Sequence, residues 1–342
     1  QSGDTYTIHT AGGWNVFCDL LNQNAKGFFT DKTIVLGTDI TVSRMAGGSY
    51  HDFTGTFDGG GHTLTVNYGS ASSPIDEDKA APFRNVETGC VIENLHVSGD
   101  IYASQKYAGG LVGTQYGAVT IRNCHVSTVI HSLTSGDGTH GGIVGNIGNS
   151  SSTSLTIEGC LFDGKLLSYG ETATNSCGGL VGYKGNNASA TITNSLYAPA
   201  ALAEDETEIS AGATFVRNGS VGSNCYYTRV LGDAQGKAPR TVTAGDEYTT
   251  VAVALTGTTT QYTVSGITAY EHGIQRGETF YYGEGDPVTL TLSNTASAPL
   301  GYCYVDYSAS HDDGITLADG STLTMPDTDV TISLGALRSD GQ

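Results

Sequence analysis

Four look-alike segments place residues capable of acid–base chemistry at one repeated position. They read VIENLHV (Val91 to Val97), TIRNCHV (Thr120 to Val126), TIEGCLF (Thr156 to Phe162) and TITNSLY (Thr191 to Tyr197). Aligned, they set Glu93, Arg122, Glu158 and Thr193 in one column. If the segments stack as neighbouring strands, Glu93 and Glu158 lie two strand spacings apart, roughly 9.6 Å. That is near the upper edge of the roughly 6.5–9.5 Å at which two carboxylates serve an inverting glycosidase. Arg122 between them keeps both acids ionised, whereas catalysis needs one protonated. The column is therefore expected to be a surface charge ladder. Glu93 and Glu158 remain the acid pair of an alternative, polysaccharide-degrading reading.

The same alignment stacks His96 on His125, and two imidazoles on adjacent strands could share a transition metal. The column continues as Leu161, Leu196 and Tyr226, so no third ligand is in view and no metal site is expected. Three acidic stretches, PIDEDKA (Pro74 to Ala80), AEDETEIS (Ala203 to Ser210) and SHDDG (Ser310 to Gly314), offer oxygens to Ca²⁺. None has the D-x-D-x-D-G spacing, so they are expected to be solvated excursions and no cofactor is expected. Tyrosine is plentiful, with 19 copies. Tyr102, Tyr107, Tyr116, Tyr169 and Tyr183 fall in or beside the segments between strands, where aromatic rings can stack on sugars or anchor a protein. They are the candidate binding residues. There is no GxSxG, HExxH or phosphate-cradling glycine loop.

What must position these residues is a repeat. A glycine motif recurs as AGGLVGTQYG (Ala108 to Gly117), HGGIVGNIGN (His140 to Asn149) and CGGLVGYKGN (Cys177 to Asn186), alternating with the strand motif above. Worn copies are APFRNV (Ala81 to Val86), AGATFV (Ala211 to Val216) and GSNCYY (Gly222 to Tyr227). Asn94, Asn123, Gly159, Asn194 and Asn224 mark a period of 29 to 36 residues. The segments alternate apolar and polar residues with period two, the signature of strands. One unit is too small to bury its apolar side, and stacked units bury it together. The asparagines are expected at a sharp bend, where αL geometry and bonds to neighbouring rungs suit them. The next column, Leu95, Cys124, Cys160, Ser195 and Cys225, is expected to face inward. The glycines are expected where the backbone turns tightly and the next coil comes close.

These motifs resemble the GLUG-motif repeats of bacterial surface and secreted proteins over about Ala81 to Val216. The resemblance implies a right-handed parallel β-helix, or solenoid. GTFDGGGHTLTV (Gly55 to Val66) is similar to the first coil that precedes such repeats, and Gly12 to Val42 resembles their amphipathic cap. There Trp14, Phe17, Leu20 and Leu21 fall at helical spacing, the stripe of a short capping helix.

Two domains are expected: a β-helix over 1–240 with its N-terminal cap at about 1–54, and a small β-sandwich-like module over 241–342. Beyond Arg240 there are thirteen acidic residues against two basic ones, Arg276 and Arg338, a composition shift that marks a boundary. Short strands between turn residues follow, such as PVTLTLS and DVTISLG. The closing GSTLTMPDTDVTISLGAL (Gly320 to Leu337) resembles the end of repeat modules on bacterial surface proteins.

A net charge of −19 argues against nucleic acid and anionic lipid. No segment is apolar enough to span a membrane. The polar opening, QSGDTYTIHT, fits a processed form or one that carries no leader in this numbering. Seven cysteines without a CxxC pair are expected to be buried free thiols. Together with the resemblance, this implies a secreted or cell-surface protein, adhesin-like and non-catalytic, whose partners are extracellular glycans or host proteins.

Overall fold

The computed structural model describes residues 4–48, 51–134, 136–169 and 174–244, and then 262–268, 274–277, 279–294, 302–307, 315–317 and 322–335. The chain divides into two compact units, Gln1–Gly236 and Lys237–Gln342.

The first unit is a parallel β-solenoid. Its coils contribute strands to sheets of seven, nine and four strands, with a further three-stranded sheet of Gly136–Asp137, Thr174–Gly178 and Ser210–Ala213. The seven-stranded sheet runs Thr5–Ile8, Thr33–Leu36, Thr56–Asp58, Val91–Glu93, Ala118–Arg122, Ser154–Glu158 and Ser189–Thr193. Its pairings are all parallel and in register. The register stacks Ile34, Phe57, Ile92, Ile121, Ile157 and Ile192 inward, each at most 1% exposed. Burying each such side chain contributes about 1.5–3 kcal/mol. The first two of these strands fall inside the segment assigned to the cap, so coiling begins there.

One bend joins the seven-stranded sheet to the nine-stranded one. Asn94, Asn123, Gly159, Asn194 and Asn224 occupy it, all with φ between 48° and 62°. Asparagine tolerates this left-handed geometry, and its amide can reach the next rung. Asn94 Nδ2 donates to Asp58 Oδ1 at 3.1 Å, and Asn224 Nδ2 donates to Asn194 Oδ1 at 2.9 Å. Beside the asparagines, Leu95, Cys124, Cys160, Ser195 and Cys225 all point inward and are buried. The six cysteines whose side chains are described are buried. Burial pushes the Cys18 and Cys177 thiols up to about 12, so they behave as small apolar groups rather than nucleophiles.

The glycine motif closes the other side of each coil, and each of its glycines avoids a different carbonyl. A Cβ on the first would meet the carbonyl three residues ahead: Gly109 that of Val112 at 1.9 Å, Gly141 that of Val144 at 2.1 Å, Gly178 that of Val181 at 1.9 Å. On the second it would meet the next coil, as Gly110 meets Gly142 O at 2.1 Å. On the third it would meet the previous coil: Gly113 meets Lys79 O at 2.7 Å, Gly145 meets Tyr107 O at 2.2 Å, Gly182 meets Thr139 O at 2.6 Å. None of these glycines has a positive φ. The motif is set by close approach of backbones, not by left-handed turning.

Lys79, Tyr107, Thr139 and Ser176, which sit two residues before the first glycine or its counterpart, do take the left-handed conformation, with φ from 49° to 70°. These form a second column of bends built from four unlike residues. Each left-handed non-glycine residue costs about 1–2 kcal/mol, held in place by the coils around it.

The N-terminal end is plugged. Helix Ala11–Gln23 starts at Thr10, whose Oγ1 accepts from Gly13 N at 3.0 Å. It buries Trp14, Phe17, Cys18 and Leu21, while Leu20 is only partly buried. Trp14 and Phe17 pack edge-on or tilted against Phe57 and Phe83 of the first coils, with ring centroids 5.8–6.4 Å apart. Trp14 Nε1 donates to Arg44 O at 2.7 Å, which satisfies its one polar atom.

The second unit has a six-stranded and a three-stranded sheet, a β-sandwich-like arrangement. Tyr282, Val288, Met325 and Val330 are buried in it. The SHDDG stretch lies outside the described residues.

Close approach at the corner is testable. Gly145→Ala should cost about 3 kcal/mol or more, because backbone crowds the new methyl from two sides. Gly136→Ala, at φ 77° with open space around it, should cost only about 1 kcal/mol. Urea unfolding of the two variants beside the parent gives the comparison.

Candidate functional site

The acid column forms as aligned: Glu93 pairs in register with Arg122, Arg122 with Glu158, and Glu158 with Thr193. Arg122 leans to one side. Its Nε and Nη2 lie 2.6 and 2.5 Å from Glu93 Oε2. The Glu93 carboxyl is thus taken up in an ion pair with the Arg122 guanidinium. The arrangement is a charge ladder on the outer surface.

The outer face of the nine-stranded sheet holds a richer set. Strands His96–Ala103 and His125–Ser132 pair along their whole length, which stacks His96 on His125 and Tyr102 on His131. The His96 and His125 rings lie 4.2 Å apart and 9° from parallel. Their nitrogens are engaged: His96 Nδ1 faces Thr63 Oγ1 at 3.2 Å, His96 Nε2 faces Ser127 Oγ at 2.8 Å, and His125 Nε2 faces Asp163 Oδ1 at 2.7 Å. Burial and then the neighbouring His125 lower the His96 pKa, keeping that ring neutral. Leu161, Leu196 and Tyr226 continue the column and are buried. Among the described residues no three His, Cys, Asp or Glu side chains gather around a metal position.

Six residues further along the same two strands, about 20 Å away, Tyr102 and His131 stack at 4.0 Å and 1°. Tyr169, from the next coil, stands edge-on to both at 5.8 Å. His131 Nε2 meets Asp100 Oδ1 at 2.8 Å. Lys165, in register with Val129 beside His131, pairs with Glu206 at 2.6 Å. Burial first, then the Asp100 charge, raises the Tyr102 phenol, so it stays protonated and can donate. Tyr169 is 39% exposed. Two of the five candidate tyrosines therefore meet, around a histidine that is not among the candidate binding residues. Extending the HV alignment six residues would have paired Tyr102 with His131; the coil crossing that brings Tyr169 has no such signal.

The other three stand apart. Tyr107 is a left-handed bend residue whose carbonyl backs Gly145. Tyr116 lies over Gly148 of the next coil, where a Cβ would meet its ring at 2.6 Å. Tyr183 carries the Arg217 guanidinium 4.8 Å over its ring. Arg217 in turn grips both oxygens of Asp137 at 2.7 and 3.0 Å.

The acidic stretches expected to be solvated are tied down. Thr207–Glu208 pairs antiparallel with Lys165–Ser168, and Glu208 bonds Arg229 at 2.6 Å. In the other stretch Glu77 pairs with Arg84 at 2.6 Å, and Asp76 accepts from Ser104 and Gln105. Most of these carboxylates already have protein partners.

Comparison with family models, curated proteins and solved structures returned no match. No helix among the described residues is long and apolar enough to cross a membrane.

Beneath the patch, Ser132 turns inward and its Oγ meets Nε2 of the fully buried His140 at 2.8 Å. Ala108 N–H donates to His140 Nδ1 at 3.1 Å, so Nδ1 carries no proton and the ring is the neutral Nε2–H tautomer. Burial lowers its pKa to about 4. Below the ordinary value near 6.5 the unfolded chain binds a proton that the folded chain refuses, so this contribution to stability falls as pH drops from about 6.5 to about 4. The loss should reach roughly 3 kcal/mol. Urea unfolding at pH 7 and at pH 4.5 measures it, and His140→Gln should show a smaller pH difference by about that amount.

Proposed function

We propose that this protein is a non-catalytic binding scaffold of the secreted or cell-surface kind, adhesin-like, and that it takes an extracellular glycan on the outer face of the nine-stranded sheet. The observation that carries the reading is the Tyr102–His131–Tyr169 constellation with Asp100 beside it, assembled from three successive coils. Tyr102 and His131 cover one another's faces, which leaves the Tyr102 hydroxyl for a hydrogen bond, while His131 gives its Nε2 to Asp100 and buries its Nδ1. Tyr169 adds an exposed ring for the apolar face of a sugar. Asp100, half exposed, accepts from hydroxyls. The net charge of −19 disfavours acidic polymers, so the glycan is neutral.

Of the alternative acid pair, Glu93 is engaged by two nitrogens of Arg122, which favours the binding reading over a hydrolase or lyase. Host protein as the partner rests on the same surface and is separated by the ligand panel.

The experiment is a glycan array followed by calorimetric titration of the best neutral ligand, with a reducing-sugar release assay alongside. Tyr169→Ala and Tyr102→Ala should each weaken binding about tenfold or more, a loss of ~1.4 kcal/mol. Glu93→Gln and Glu158→Gln should bind as the parent does, and no sugar should be released. Product release abolished by Glu158→Gln would replace this reading with an enzymatic one.

A further inference from the structure

A second cluster lies far from that face, in the seam between the end of the capping helix and the first strand of the four-stranded sheet. Phe53 pairs with Val86 in a parallel bridge, and the residues beside them, Asp52 and Glu87, bring two carboxylates together. Burial, the Glu87 charge and a hydrogen bond shared with Glu87 raise the Asp52 pKa, against the opposing pull of Lys26. Lys26, just past the helix, contacts both: its Nζ lies 2.6 Å from Glu87 Oε2 and 3.7 Å from Asp52 Oδ2. Its side chain is 58% exposed, so it enters from the solvent side.

Two amide oxygens at the same seam have no donor. Asn85 is 97% buried, being 3% exposed, and its Nδ2 donates to Gly48 O at 2.8 Å. That bond fixes the amide orientation, because a carbonyl accepts only from the nitrogen. Asn85 Oδ1 is then a buried acceptor without a hydrogen. Asn22 Oδ1 is a second, and it lies 3.8 Å from where a Cβ on Gly48 would sit. Leaving such an acceptor buried and unpaired costs about 1–3 kcal/mol. Two carboxylates and two amide oxygens are the ligand set of a hard divalent cation, and the neighbouring His51 Nδ1 is a further buried atom without a partner.

We propose that this seam binds Ca²⁺, with Asp52, Glu87 and Asn85 as its oxygen ligands, Asn22 completing the set, and the Lys26 ammonium standing in for the ion when none is bound. The ion would lock the helix plug to the first coils. This site is independent of the glycan-binding face.

The test uses the full chain stripped with EDTA. Calorimetric titration with CaCl₂ should give one site, and CaCl₂ should raise the thermal midpoint reversibly, more than MgCl₂ does. Asp52→Asn and Glu87→Gln should each abolish both effects. Lys26→Ala changes a largely exposed side chain, so it keeps the fold. By removing the competing charge it should tighten Ca²⁺ roughly tenfold. No heat and no midpoint shift in the parent would overturn the proposal. A shift surviving in the Asp52→Asn, Glu87→Gln double variant would place the ion elsewhere and overturn it too. Weaker binding in Lys26→Ala would show that the lysine is no competitor, with the same consequence.

Discussion

The structure depends on how closely one backbone can approach another at the GG-L/I-V-G corner. Each coil there threads between its neighbours with carbonyls on three sides, and only hydrogen fits where a Cβ would be. Gly109 N–H reaches Ala80 O at 3.1 Å and Gly141 N–H reaches Ala108 O at 3.1 Å, so the crowding is also a ladder of bonds. That contact sets the pitch. With the pitch fixed, the isoleucines and valines of successive coils align inside, and whatever lies outside aligns equally well. The stacked imidazoles and the Glu93–Arg122–Glu158 column follow from the same constraint. A slip of one residue in any coil would turn its core outward, so register is specified at every level.

The repeat made much of this legible. The columns of Asn94, Asn123, Asn194 and Asn224, of Cys124, Cys160 and Cys225, and of His96 and His125 could be written down because each motif carries its own phase marker. The capping helix was legible from Trp14, Phe17 and Leu21, though Cys18 takes the buried place that spacing assigned to Leu20. The left-handed column Lys79, Tyr107, Thr139 and Ser176 was not. Lys79, Tyr107 and Thr139 back the third glycine of the next coil and Ser176 faces Arg217 in its place, so the residue type carries no trace of the conformation. Tyr169 was named as a candidate, yet its meeting with Tyr102 depends on where a variable excursion re-enters the sheet. No local pattern encodes that re-entry.

Charge is used with economy. The chain has 15 lysines and arginines against 34 acids. Several of those few cations bridge separate coils: Arg122 to Glu93, Lys165 to Glu206, Arg217 to Asp137, Arg229 to Glu208. Partly exposed pairs contribute at most about 1 kcal/mol each. Their effect is on placement more than on stability. Lys165 and Arg229 press the excursion 203–210 onto the sheet edge, next to the aromatic patch. Loss of either pair would therefore alter the rim of the patch before it altered the fold.

A solenoid separates the residues that hold it together from those that face a ligand. Inward positions alternate with outward ones along every strand, and their demands differ: one set needs shape and apolarity, the other only compatibility with the neighbour one rung away. Tyr102 on His131 meets that second condition by ring stacking, as His96 on His125 does. Binding residues on such a face can thus change without disturbing the interior, provided each change keeps peace with the rungs above and below. The patch is set by that freedom, and the Asp100–His131 contact, linking adjacent rungs, is where the outer columns hold it in place.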